Sequence, residues 1–101
     1  MQRYEAMQNV IANFNWDRVS QVMNYLNWVW RGEGVPDVNK MQSNAMYLMD
    51  AAYHEAARSN PVDGVREGYC ATGGFKAHAY VKDTGVDFRL AFVLADWSSG
   101  W

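Results

Sequence analysis

Two neighbouring segments of alternating polarity constrain this chain more than any other feature in it. Phe75, Ala77, Ala79 and Val81 fall on one side of a period-2 segment, and Phe88, Leu90, Phe92 and Leu94 on one side of the next. Asp83-Thr84-Gly85-Val86 lies between them. A four-residue loop pairing Lys82 with Asp87 sets Val81 against Phe88, Ala79 against Leu90, Ala77 against Phe92 and Phe75 against Leu94, small residues facing large ones. The other face then carries Lys76, His78, Tyr80 and Lys82 against Val93, Ala91, Arg89 and Asp87. A two-stranded hairpin is marginal in water, so its apolar face needs a cover.

The first half of the chain offers that cover. Residues 2–12 place Tyr4, Met7, Val10 and Ile11 at helical spacing, though so short a stretch also suits an extended conformation. Asn15 suits an N-cap, with Asp17 in the first turn and Phe14 and Val19 at the spacing of a hydrophobic staple. Val19, Val22, Met23, Leu26, Val29 and Trp30 follow as one apolar stripe, expected to lie on the sheet, and Gly32 to Gly34 end the helix. Val35-Pro36 makes an extended joint and Asp37 can cap a further helix. Its buried face is Val38, Met41, Ala45, Leu48, Met49, Ala52 and Ala56. Met46, Tyr47 and Tyr53 widen that arc beyond what one sheet requires, so the helix is either wedged between elements or meets another chain. Asn60-Pro61 stops it, and residues 61–67 read as a loop.

Gly68 to Thr72 reads as a short extra strand entering the hairpin through Gly73-Gly74. The expectation is a single α+β domain over residues 1–101. Two or three N-terminal helices pack on one face of a small C-terminal antiparallel sheet, with the hairpin at 75–82 and 87–95 and the extra strand near 68–72.

Charge and composition narrow the function classes. A formal charge of −2, from eleven acids and nine bases, gives no general attraction to nucleic acid or anionic lipid, and a 50% hydrophobic, 15% aromatic composition excludes a disordered chain. No apolar run approaches the roughly 18 residues that span a bilayer. The lone Cys70 cannot form an internal disulfide, and no secretory leader pattern is visible, so a cytoplasmic location is expected.

Chemistry is sparse. Cys70 with His78 or His54 is the one pairing that suits a thiol nucleophile, and an isolated strand cysteine is ordinarily a small buried hydrophobe. His54 and Glu55 are adjacent on a helix and face apart, and no CxxC, HxxxH or HExxH spacing occurs, so neither metal nor cofactor is expected. Thr72-Gly73-Gly74 lacks the lysine and helix of a phosphate loop. No catalytic residue is assigned, and the chain reads as non-enzymatic.

Binding fits better. Tyr25, Trp28, Trp97 and Trp101, with Arg18 and Arg89 beside them, are either core fillers or flat anchors for a protein or a base. Lys76, His78, Tyr80, Lys82 and Arg89 make the outer hairpin face locally basic; such a face is either plain solvated sheet or a receiver for an anionic ligand.

Several landmarks also occur together. The string Phe14-Asn15-Trp16-Asp17-Arg18-Val19 through Val22-Met23 to Leu26-Asn27-Trp28-Val29-Trp30, then Val35-Pro36-Asp37, Thr72-Gly73-Gly74-Phe75 and Phe92-Val93-Leu94-Ala95-Asp96-Trp97, resembles small accessory proteins encoded by tailed bacteriophages. The resemblance spans roughly residues 14–97, rests on aromatic and glycine landmarks, and carries no active-site residues. It implies an accessory protein acting in the host bacterial cytoplasm; that no membrane is expected as a partner follows separately from the apolar runs being too short to span one. Its implied function is to inhibit a host defence system by occluding a protein or sequestering a nucleotide signal, in the second case often with a second subunit completing the site. The alternative is a phage nucleic-acid-binding or DNA-metabolism factor acting through Trp28, Lys76, Tyr80 and Arg89.

Overall fold

The computed structural model describes residues 2–30, 37–72 and 74–92, with the backbone alone for residues 24–30 and 72. Three helices precede three strands: α1 (Arg3–Asn13), α2 (Trp16–Trp30), α3 (Val38–Arg58), β1 (Arg66–Thr72), β2 (Phe75–Lys82) and β3 (Gly85–Phe92). The strands form one antiparallel sheet in the order β1-β2-β3. Its helix-facing side is the core, so the expected α+β layering is what the chain adopts.

Caps fix where the helices begin. Arg18 donates its backbone N–H to Asn15 Oδ1 at 3.0 Å at the start of α2, and Lys40 does the same to Asp37 Oδ1 at 2.7 Å at the start of α3. The ambiguous first stretch is a helix, α1. An Arg3–Asp50 ion pair at 3.4 Å joins it to α3, and the guanidinium lies 4.5 Å from the Tyr53 ring centroid. A hydrogen bond to the Tyr4 hydroxyl raises the pKa of this arginine further.

The cover over the sheet is shared differently from the expectation. Met41, Ala45, Leu48, Met49, Ala52 and Ala56 of α3 are all buried, Val38 packs beside them, and α3 lies across β1 and β2. α1 lies against β3. Of the stripe expected on α2, Val19 is buried in the same core and Met23 packs against it, while the side chains of Leu26, Val29 and Trp30 lie outside the described residues; Trp16 meets the sheet with its ring centroid 5.8 Å from that of Phe75. Small residues explain the division: Ala52, Ala56, Ala77 and Ala79 are sealed, and the α3 backbone comes down directly onto Gly68. Alanine on the helix and alanine and glycine on the strands leave no side chain to hold the two backbones apart. Trp16 caps the end of β2, with Phe14 and Phe75 against it, Phe92 beyond Phe75, and its Nε1–H donated to the Ile11 carbonyl at 2.8 Å.

The hairpin register is shifted by two residues from the expectation. Lys82 pairs with Gly85, so Val81 faces Val86, Ala79 faces Phe88, Ala77 faces Leu90 and Phe75 faces Phe92. A two-residue connection replaces the four-residue loop because Gly85 supplies a positive φ of 143°, leaving ordinary backbone angles to Asp83 and Thr84. A shift of two preserves which face each side chain occupies. Asp87 and Lys82 meet as expected, at 3.3 Å, but diagonally across the strands. Positions 93–95 of the expected second strand lie outside the described residues, as do the Val35-Pro36 joint and Gly32 to Gly34.

β1 begins two residues before the expected strand, inside the stretch read as a loop. The Val62↔Val65 bridge starts the extended chain, and Arg66 donates from its guanidinium to the Ser59 carbonyl at the end of α3. The surplus arc on α3 divides: Met46 and Tyr53 pack against the core, whereas Tyr47 is 77% exposed. No described helix is long and apolar enough to cross a membrane.

Candidate functional site

Strand pairing fixes a second face of the sheet, away from the helices. With Phe75, Ala77 and Ala79 buried, the alternate residues of β2, namely Lys76, His78, Tyr80 and Lys82, stand on the outer side. Their partners across the ladders share that side: Ala71 beside Lys76, Tyr69 beside His78 and Glu67 beside Tyr80 on β1, and Ala91, Arg89 and Asp87 on β3.

A connected group forms at the centre of this face. The His78 and Tyr80 rings stack with centroids 4.3 Å apart and planes 24° from parallel. The Tyr80 hydroxyl and His78 Nδ1 are 3.1 Å apart, while His78 Nε2 lies 3.1 Å from Glu67 Oε1. Tyr69 meets the imidazole edge-on at 6.4 Å, and the Arg89 guanidinium sits over the Tyr80 ring at 6.0 Å. The result is a platform of rings bordered by an acid and by cations. Flat π-surface with a nearby guanidinium and ammonium suits a ligand that is planar and anionic at once.

A groove of about 470 Å³ opens beside this group along β1, bounded by Glu55 and Arg58 of α3 and by Glu67, Tyr69 and His78. Arg58 is paired with Glu55 on that helix. A second groove of about 390 Å³ lies between α1 and α3, near Ile11, Gln42 and Met46.

The structure therefore brings Lys76, His78, Tyr80 and Arg89 onto one face. It separates Arg18 from them: Arg18 is exposed on the first turn of α2, next to the Trp16 that packs on the inner side of β2. The side chains of Tyr25 and Trp28 lie outside the described residues, as do Trp97 and Trp101. Tyr69 and Glu67 join the site without having been foreseen. Their signal was present in the period of two through residues 67–71, once Gly68 and Cys70 are assigned inward.

The same parity bears on the thiol. Cys70 pairs with Ala77 and packs at the margin of the core, whereas His78 is on the outer side, so the sheet itself lies between them. His54 is exposed on α3, with Nδ1 2.8 Å from the Asp50 carbonyl oxygen. Among the described residues no three of His, Cys, Asp and Glu gather as metal ligands would.

Comparison with protein-family models, with curated proteins and with solved structures finds no match to this chain.

Proposed function

We propose that the chain is a non-enzymatic binding protein of bacteriophage type that counters a host defence system by holding a nucleotide signal on the outer face of its sheet. The observation that carries this reading is the stacked His78–Tyr80 pair with Arg89 over the tyrosine, set on the side of the sheet away from the helices. Tyr69 and Glu67 extend the platform, and Lys76 adds positive charge on the same strand. Rings offer stacking to a base, and a guanidinium and an ammonium offer charge-assisted hydrogen bonds to phosphate. A face built to occlude a protein would be a flat apolar patch with a polar rim, and this one is polar and ringed through its centre. The bacteriophage setting, the host cytoplasm and the anti-defence role rest on the sequence resemblance.

A second reading draws on the same residues. Aromatics on a sheet beside lysine and arginine also serve single-stranded nucleic acid, and Lys76, Tyr80 and Arg89 share a face. Native mass spectrometry of the protein purified from a bacterial host separates the two. A retained nucleotide mass supports the first; its absence, together with affinity for single-stranded DNA that falls steeply with salt, replaces it with the second.

A further inference from the structure

Charge is not spread evenly over the outer face of the sheet. Its side chains fall into rows that run across the strands, with Tyr69, His78 and Arg89 in one and Glu67, Tyr80 and Asp87 in the next. Asp87 is paired with Lys82 at 3.3 Å, and Glu55, the acid across the groove on α3, is paired with Arg58. Among the described acids of the face and the groove, Glu67 is the one with no lysine or arginine against it. Its contact is to His78, whose Nε2 lies 3.1 Å from Oε1, and its side chain is 50% exposed.

From this we infer that the face selects guanine nucleotides, with Glu67 as the residue that reads the base. The inference rests on the nucleotide reading above and names the ligand class within it. An acid repels phosphate, so a nucleotide on this face is oriented, with its phosphate toward Arg89 on β3 and its base toward Glu67 on β1. The two residues stand two strands and two positions apart, about 12 Å between Cα atoms at ordinary sheet spacing, with the His78–Tyr80 stack between them. Stacking on those rings is open to any base, and the discrimination falls to the carboxylate.

Hydrogen-bond accounting picks the base. One neutral tautomer of His78 serves its contacts to both neighbours: Nε2–H donates to Glu67 Oε1, and Nδ1 accepts from the Tyr80 hydroxyl at 3.1 Å. An ionised carboxylate has about four lone-pair positions, so the imidazole takes one and about three remain for donors. Guanine presents two adjacent donors on its Watson–Crick edge, the ring N1–H and the N2 amine, side by side as the two oxygens of a carboxylate are. Adenine and cytosine each present one amine beside an acceptor nitrogen, and uracil one N–H between two carbonyls. Each of these sets a lone pair against the carboxylate and leaves part of it without a donor.

Titration of the full chain with GMP, IMP, AMP, CMP and UMP, followed by amide chemical shifts, tests it. GMP is expected to bind roughly tenfold or more tightly than AMP, CMP or UMP, with IMP, which keeps the N1–H and lacks the N2 amine, in between. Glu67→Gln, in a chain that unfolds at the wild-type urea midpoint, keeps an oxygen to accept the His78 N–H but sets an amide N–H against one guanine donor. It is expected to remove the preference for GMP while AMP affinity holds. A residue that merely held His78 in place would lower all affinities together and leave their order unchanged. Equal affinity for all of these nucleotides overturns the inference and leaves the nucleotide reading standing, and a preference for GMP that survives Glu67→Gln does the same. Absence of binding by every one of them overturns both.

Discussion

Gly68 sits directly beneath Ala56: a β-carbon on this glycine falls less than 3.0 Å from the Ala56 nitrogen and 2.7 Å from its Cα, with the Ala52 carbonyl on the other side. All three neighbours are helix backbone, which no rotamer change can move. Gly68→Ala is therefore expected to lift α3 from the sheet and to cost at least about 3 kcal/mol, or to prevent folding, as read by urea denaturation. Gly64→Ala is the control. Gly64 has φ +79° with nothing within 4 Å, so only backbone strain of about 1–2 kcal/mol is expected there.

The two capping residues predict smaller, separable losses. Asn15→Ala removes the acceptor for the Arg18 N–H and Asp37→Ala the acceptor for the Lys40 N–H. Each is expected to cost about 1 kcal/mol, and the double variant about the sum, because the caps belong to different helices and share no partner. Thermal or urea unfolding of the three variants checks both statements.

Docking of α1 onto α3 turns on Arg3, which reaches Asp50 at 3.4 Å and the Tyr53 ring at 4.5 Å. The two side chains are partly exposed as wholes, but Nε and Oδ1 themselves are shielded from water, so Arg3→Ala leaves a carboxylate oxygen without its cation and is expected to destabilise the fold by about 1–2 kcal/mol. Arg3→Lys should recover only part of this, since an ammonium lacks the planar group that covers the tyrosine ring. Faster amide exchange confined to α1 is the accompanying signature.

The exposed Lys82–Asp87 pair should contribute little. A double-mutant cycle with alanine at both positions is expected to return about 0.5 kcal/mol or less, falling further in high salt. The pair nonetheless explains why the turn misleads. Setting Lys82 directly opposite Asp87 gives a plausible register, and the diagonal neighbour in the true register is equally within reach.

What the residues disclose by themselves follows from how local each signal is. The periodicity of α3 identifies every one of its buried positions, because a helix between sheet and solvent imposes a single stripe. Inward and outward faces of β2 and β3 are legible for the same reason, and survive a two-residue error in register. Gly68 is not legible as a contact point, since its constraint comes from a helix about a dozen residues earlier in the chain. Nor is it legible that α3 comes down onto the β1 backbone, because alanines announce close packing only once their partner is known. For the site, Lys76, His78, Tyr80 and Arg89 follow from alternation, whereas Tyr69 and Glu67 wait on the pairing of β1 with β2.

The most direct test of the outer face is nuclear magnetic resonance of the labelled chain titrated with a panel of nucleoside monophosphates and cyclic dinucleotides. The account predicts saturable shift changes centred on Tyr69, Lys76, His78, Tyr80 and Arg89, abolished in Tyr80→Ala and Arg89→Ala variants that unfold at the wild-type midpoint. Shift changes centred instead on the groove between α1 and α3, or none with any nucleotide in the panel, contradict it.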